Sequence, residues 1–294
     1  MGYEAWILIT GSLVGVTCGV VGSFLLLRKM SMLADAISHS VLLGIVLAFL
    51  ISQSLNGLYM LIGAAIAGIV TAFFVQLFQS KGIQEDASIG VVFTSMFALG
   101  VILVSLYASD VHLDVEHVLM GEIAFVPWNT VDLALFGEVP KSFVLLVVVL
   151  LLDALLIFLL YKEFKITSFD ESMAAALGIP VLFIHYILMG MVSITTVAAF
   201  DAVGAILVVA FLIAPGASAY LLTDKFIVML VLAAIIGCVD AVTGYYLAYF
   251  LDVSIAGAMA VMAGVIFALC FIFGPQHGLL SKWLRKRKVA ESTI

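Results

Sequence analysis

Asp35 and His39 are the residues of this chain whose types and spacing first suggest chemistry. They stand four apart in Ala34–Gly44, A-D-A-I-S-H-S-V-L-L-G, near the start of a long apolar run. On a helix that spacing places both side chains on one face, one turn apart. A carboxylate and an imidazole so arranged are both ligands for divalent first-row metals. The plain alternative is a polar residue just inside a helix start and a histidine bonded to a neighbour. The setting gives the metal reading its weight, because ionisable residues inside a bilayer are costly and point to function.

That setting follows from composition. Of 294 residues, 65% are hydrophobic and 11% charged, and the mean hydropathy is +1.31. A soluble domain carries about 25% charged residues, so this chain cannot cover a water-facing surface. It reads as an all-α polytopic membrane protein, a single transmembrane domain over 1–294. The net charge of −7 and the lack of a basic face give no sign of nucleic-acid binding. Cys18, Cys238 and Cys270 lie in apolar runs without C-x-x-C spacing, as packing residues do. The N-terminal M-G-Y-E-A-W lacks a basic region and a cleavage site, so the first apolar run is expected to be retained.

Apolar runs near 20 residues predict about nine membrane helices, with eight as the alternative count. They cover about 6–27, 32–51, 58–78, 87–107, 142–161, two spans within 181–222 broken near Phe200-Asp201, 226–250 and 255–273. Between the fourth and fifth lies an acidic external segment, 109–140, with Asp110, His112, Asp114, Glu116, His117, Glu122, Asp132 and Glu138. Its carboxylates are read either as a docking or cation-attracting surface or as a solvated loop. The segment 162–180 is expected to form a short helix outside the hydrocarbon, and 281–294 a basic tail. With Arg28-Lys29 cytoplasmic, eleven of the twelve Lys and Arg fall on the same side, Lys141 being the exception. This puts the N-terminus outside and the C-terminus in the cytoplasm. Glycines at four-residue spacing, Gly11, Gly15 and Gly19, and again between Gly178 and Gly216, are expected to pack helices closely.

Five ionisable residues fall inside these spans: Asp35, His39, Asp153, His185 and Asp240. The last three stand alone, and a lone intramembrane polar residue often only bonds a neighbouring helix. Asp35 and His39 form a two-ligand face, with Ser38 and Ser40 as supporting candidates. A helix rise puts His39 about 15 Å beyond Lys29, close to the bilayer midplane. Two ligands are too few for selective binding, and a symmetric dimer with the helix near its axis would supply an N2O2 set. Such a set suits Mn²⁺, Fe²⁺ or Zn²⁺. No G-x-x-x-x-G-K-[ST] motif occurs, so the chain does not grip ATP through a P-loop, and no catalytic residue or permanently bound cofactor is expected.

Four stretches resemble the manganese/zinc/iron permease family of ABC importers: A-D-A-I-S-H-S-V-L-L-G-I-V, H-V-L-M-G-E-I-A-F-V, F-D-E-S-M-A-A-A-L-G-I and F-D-A-V-G-A-I-L-V-V-A-F-L-I-A-P-G-A-S-A-Y-L-L-T. They run in order over almost the whole chain. The resemblance implies a homodimeric permease related in architecture to the cobalamin and siderophore importers. It implies two separate ATP-binding cassette subunits docked through Phe169, Asp170, Glu171, Ala175, Leu177 and Gly178, and an extracytoplasmic solute-binding protein delivering metal. The family's membrane metal site falls on Asp35 and His39. Pro215-Gly216-Ala217-Ser218 departs from the expected Pro-Ala-Ala-Thr. The expected function is the permease subunit of an ATP-driven importer of Mn²⁺ or Zn²⁺, with Fe²⁺ a further candidate, in a bacterial-type cell membrane. The alternatives are a permease for metal chelates, a gradient-driven transporter with Asp35, Asp153 and Asp240 as proton relay, and an intramembrane enzyme.

Overall fold

A computed structural model describes residues 2–54, 57–107, 123–133 and 137–281. The basic tail beyond 281 and most of the acidic external segment, with Asp110, His112, Asp114, Glu116, His117 and Glu122, lie outside the described residues. The helices are α1 (Tyr3–Leu27), α2 (Ser31–Ser52), α3 (Gly57–Ser80), α4 (Glu85–Tyr107), α5 (Lys141–Leu159), α6 (Tyr161–Phe169), α7 (Glu171–Ala176), α8 (Val181–Val203), α9 (Ala205–Leu222), α10 (Phe226–Leu251) and α11 (Ile255–Phe273). Among the described residues nine of these, all but α6 and α7, are long and apolar enough to cross a membrane. The external segment departs from an all-α pattern. A 3-10 turn (Ile123–Trp128) leads into an antiparallel hairpin, β1 (Thr130–Leu133) on β2 (Gly137–Pro140), with Asp132 opposite Glu138.

The bundle has a centre and a rim. Helices α1, α2 and α8 bury most of their length, whereas α4, α5 and α11 leave most of theirs open. Without a hydrophobic drive between helices in lipid, close approach comes from small residues. Gly15 of α1 and Gly237 of α10 face each other so closely that a Cβ on either would lie 2.3 Å from the other's carbonyl oxygen. Gly44 of α2 and Gly63 of α3 do the same, flanked by Ala48 and Ala67 one turn on. Gly11 and Gly19 pack as expected, against Met259 and against Ala233 and Pro215. Gly178 does not: nothing lies near it, and its φ of +79° shows a turn residue instead.

The break in the long apolar stretch 181–222 falls at Gly204, not near Phe200-Asp201. Gly204 joins α8 to α9 at φ 79°, ψ 168°, a conformation essentially reserved for glycine. Asp201 is no breaker; it lies within α8 and accepts a 3.0 Å hydrogen bond from the Ser142 hydroxyl of α5. Polar contacts sort the helix ends. At one end lie Tyr3, whose hydroxyl donates to the Ala124 carbonyl, and the Ser142–Asp201 pair. At the other lie Arg28 with Thr167, and His277 with Asp224. This is the alternation that nine successive spans require.

Candidate functional site

The turn that launches α2 fixes where Asp35 and His39 lie. Helix α1 ends with Lys29 in the left-handed conformation, φ 61°. The Lys29 and Met30 N–H groups return to the carbonyls of Leu26 and Leu25, the double closure usually built on glycine. Three residues later α2 is under way. On a 1.5 Å rise, Asp35 and His39 lie about 6 and 12 Å beyond its start. That puts the pair on the Arg28 side of the centre of α2.

The pair is formed. Asp35 Oδ1 and His39 Nε2 are 3.5 Å apart, and each side chain is 38% exposed. Around them α2 is buried, through Leu33, Ala34, Ala36, Ile37 and Ser40. Helix α4 supplies the wall: the His39 ring lies 5.7 Å from Phe93 at 31° and 5.9 Å from Phe97, edge-on. Ser38 and Ser40 do not support the Asp35–His39 pair as expected. Their hydroxyls donate to the backbone carbonyls of Asp35 and Ile37, at 2.7 and 3.0 Å. The aromatic wall was missed in the sequence, although Phe93 and Phe97 repeat the four-residue spacing of the pair they face.

The three lone candidates lie on separate helices, and no described hydrogen bond or ion pair joins them to Asp35 or His39. Asp153 of α5 is buried and accepts a 2.6 Å bond from the Thr195 hydroxyl of α8 through Oδ2. Asp153 Oδ1, His185 Nε2 and both oxygens of Asp240 are buried without a hydrogen-bond partner among the described residues. Nor do the described residues contain a group of three or more His, Cys, Asp or Glu able to hold a metal. Asp35 and His39 are therefore one carboxylate and one imidazole on an open face.

At the Arg28 end, α6 and α7 run outside the nine spans. Asp170 caps α7, its carboxylate accepting from the Met173 N–H at 2.9 Å and the Ser172 hydroxyl at 2.6 Å. These bonds hold its carboxyl below the usual carboxylate range. Ala174 turns inward, while Phe169, Met173 and Leu177, four apart, stand 59%, 56% and 59% exposed. Glu171 and Ala175 are exposed beside them.

Among the described residues, nine apolar helices long enough to span a membrane, with the Asp35–His39 pair open on α2, define a multi-pass membrane protein. The chain belongs to the ABC 3 transport family, whose profile matches residues 3–274. It is 62% identical over 285 residues to the manganese transport system membrane protein MntD of Bacillus subtilis, covering 97% of each chain. To the zinc transport system membrane protein TroD of Treponema pallidum it is 47% identical, over 93% of this chain and 75% of that one. Among solved structures, PsaBC from Streptococcus pneumoniae in complex with Fab superimposes with a TM-score of 0.78 at 33% identity, over 94% of both chains. A metal-chelate type ABC transporter in an inward-facing conformation shares the fold, with a TM-score of 0.64 at 19% identity over 90% of this chain and 84% of that one. The chain is thus a membrane permease subunit of the kind found in metal ABC importers. The architectural kinship expected with chelate importers holds, and a chelate permease is not the favoured reading of its function.

Proposed function

We propose that this chain forms the membrane path of an ATP-driven importer for Mn²⁺ or Zn²⁺, with Asp35 and His39 as the ligands that meet the ion. The observation that carries the proposal is the pair itself, held on one face of α2, open at 38%, with no third ligand near it among the described residues. Relatives named for manganese and for zinc support this class of cargo. A second copy of the chain, related by a two-fold axis beside α2, doubles the donors to two carboxylates and two imidazoles. Four N and O donors without thiolate match a first-row divalent ion and do not select between the two by affinity order alone.

The ion arrives from the end that holds the hairpin, handed over by a solute-binding protein, and leaves at the α6–α7 end. Two ATP-binding cassette subunits dock there on Phe169, Asp170, Glu171, Ala175, Leu177 and Gly178, with Met173 completing their apolar stripe. That end is cytoplasmic and the N-terminus external, the orientation that sorts the positive charge. Asp35 and His39 replace part of the ion's water shell on entry and release it when α2 shifts.

The test is accumulation of radioactive Mn²⁺ and Zn²⁺ by cells carrying Asp35→Ala or His39→Ala at matched membrane expression. Loss of uptake in both is expected. Wild-type uptake in both would refute the assignment, and uptake of chelated iron in place of the free ion would move the chain to the chelate class.

A further inference from the structure

The α6–α7 segment is tied to the start of α2 through one side chain. Arg28 ends α1, and its Nη2 donates to Thr167 Oγ1 at 2.6 Å while Nε lies 3.5 Å from Ser168 Oγ. Thr167 passes the bond on, donating to the Glu163 carbonyl at 2.7 Å within α6. Glu171, the first residue of α7, is close enough for its charge to act on the guanidinium. The same is true of Arg28 and His185 of α8. Burial pushes the guanidinium's proton affinity down from its ordinary value, and Glu171 opposes that shift.

Aromatic packing seats the segment and Arg28 orients it. Phe24 of α1 touches Phe164 of α6 and Phe226 of α10, each with ring centroids 5.4 Å away, and Tyr161 lies 5.8 Å from Phe226. Such contacts hold α6 against α1 without direction, because apolar burial has none. A planar guanidinium bonded to two neighbouring hydroxyls has direction, which a lysine in its place would lack. From Arg28 the chain has no slack before the ligands. Lys29 and Met30 are closed onto α1 by their own hydrogen bonds, the Met30 carbonyl accepts from Leu33 N–H at 3.1 Å, and Asp35 follows within α2.

One guanidinium nitrogen, Nη1, is buried without an acceptor among the described residues. An unpaired buried donor is costly to keep. A movement of α7 that brought Glu171 onto Nη1 would satisfy it, and would give the side chain the second arrangement that a coupling element needs.

We infer that Arg28 is a positioning residue that transmits movement of the α6–α7 segment to the turn launching α2, and so to Asp35 and His39. The inference rests on the reading of α6–α7 as the ATPase docking segment.

The experiment uses the complete complex of permease, ATPase subunits and binding protein in proteoliposomes, with Mn²⁺ uptake and ATP hydrolysis measured together. Arg28→Gln is expected to keep the ATPase subunits bound and hydrolysing, while Mn²⁺ moved per ATP falls about tenfold, within the range of known coupling energies. Thr167→Val removes the shorter bond and is expected to lower the same ratio about threefold, with no further loss when added to Arg28→Gln. An unchanged ratio in both variants overturns the inference, as does a strictly multiplicative double variant. If Arg28→Gln fails to assemble, Thr167→Val decides alone: a lowered ratio supports the link and an unchanged one refutes it. Met173→Asp tests the underlying reading separately. It is expected to abolish ATPase binding, and retained binding would refute the docking segment whatever Arg28 does.

Discussion

Replacing Gly44 by alanine tests whether the α2–α3 contact sets the Asp35–His39 pair in place. A Cβ at Gly44 would lie 2.3 Å from the Gly63 carbonyl oxygen and 2.7 Å from the Ala67 methyl, where ordinary contact begins at 3.4 Å. Both obstacles are backbone or backbone-fixed, so no rotamer change relieves them. The helices must part by about 1 Å, the difference between those distances. Overpacking of this kind costs about 1–3 kcal/mol, offset by about 0.5–1 kcal/mol from the better helix propensity of alanine. The net loss of about 1–2 kcal/mol should lower the apparent unfolding midpoint in detergent by roughly 5 °C. His39 lies five residues from Gly44, and a ligand set tolerates misplacement of only about 0.5 Å, so Mn²⁺ uptake at matched expression should fall about tenfold. Gly63→Ala should behave alike. Gly264→Ala, with nothing within 4 Å of its Cβ, should leave uptake unchanged and raise the midpoint slightly, through helix propensity alone. If Gly44→Ala matched Gly264→Ala in both measurements, the reasoning from close packing to ligand position would be wrong.

Other outcomes follow from the same geometry. Gly204→Ala forces a side chain into φ 79°, ψ 168° and should cost about 1–3 kcal/mol, read as a lower midpoint in the same thermal assay. Thr195→Val leaves Asp153 without its 2.6 Å partner. Hydrogen bonds between membrane helices average about 0.6 kcal/mol, so the midpoint should fall only slightly, and a loss above about 2 kcal/mol would show that Asp153 does more than bond a neighbour. Asp170→Ala should remove amide protection from residues 171–176 in hydrogen-exchange mass spectrometry at neutral pH. Because its hydrogen bonds depress the Asp170 carboxyl below the ordinary 3.8, wild-type protection is present above that pH and is lost only as the pH falls through the depressed value.

The spans were legible because a bilayer demands about 20 apolar residues from each crossing, a signal that needs no partner to be read. Only their ends moved: α1 begins at Tyr3 and α4 at Glu85, since polar residues at a membrane surface are no obstacle to a helix. The break falls at Gly204, three residues beyond Asp201, and was not legible because the backbone conformation that only glycine accepts leaves no mark in hydropathy. The four-residue spacing gave the Asp35–His39 face correctly, since helix periodicity is local. Its surroundings were not local. Ser38 and Ser40 stand next to Asp35 and His39 in sequence yet turn to backbone carbonyls, and Phe93 and Phe97 lie more than fifty residues from His39 along the chain. Arg28 was read as a topological marker, and nothing in its own neighbourhood names Thr167 as its partner. The hairpin from Thr130 to Pro140 was hidden in a segment known only for its acidity.

The aromatic wall beside His39 also changes how that residue looks to a magnet. A ring 5.7 Å away and tilted by 31°, with a second edge-on at 5.9 Å, places the imidazole within two ring currents. With five histidines in the chain, its carbon-bound protons should resonate apart from those of an imidazole in open solvent. Those signals are a native reporter that needs no label. Diamagnetic zinc bound at the pair would shift them, and paramagnetic manganese would erase them.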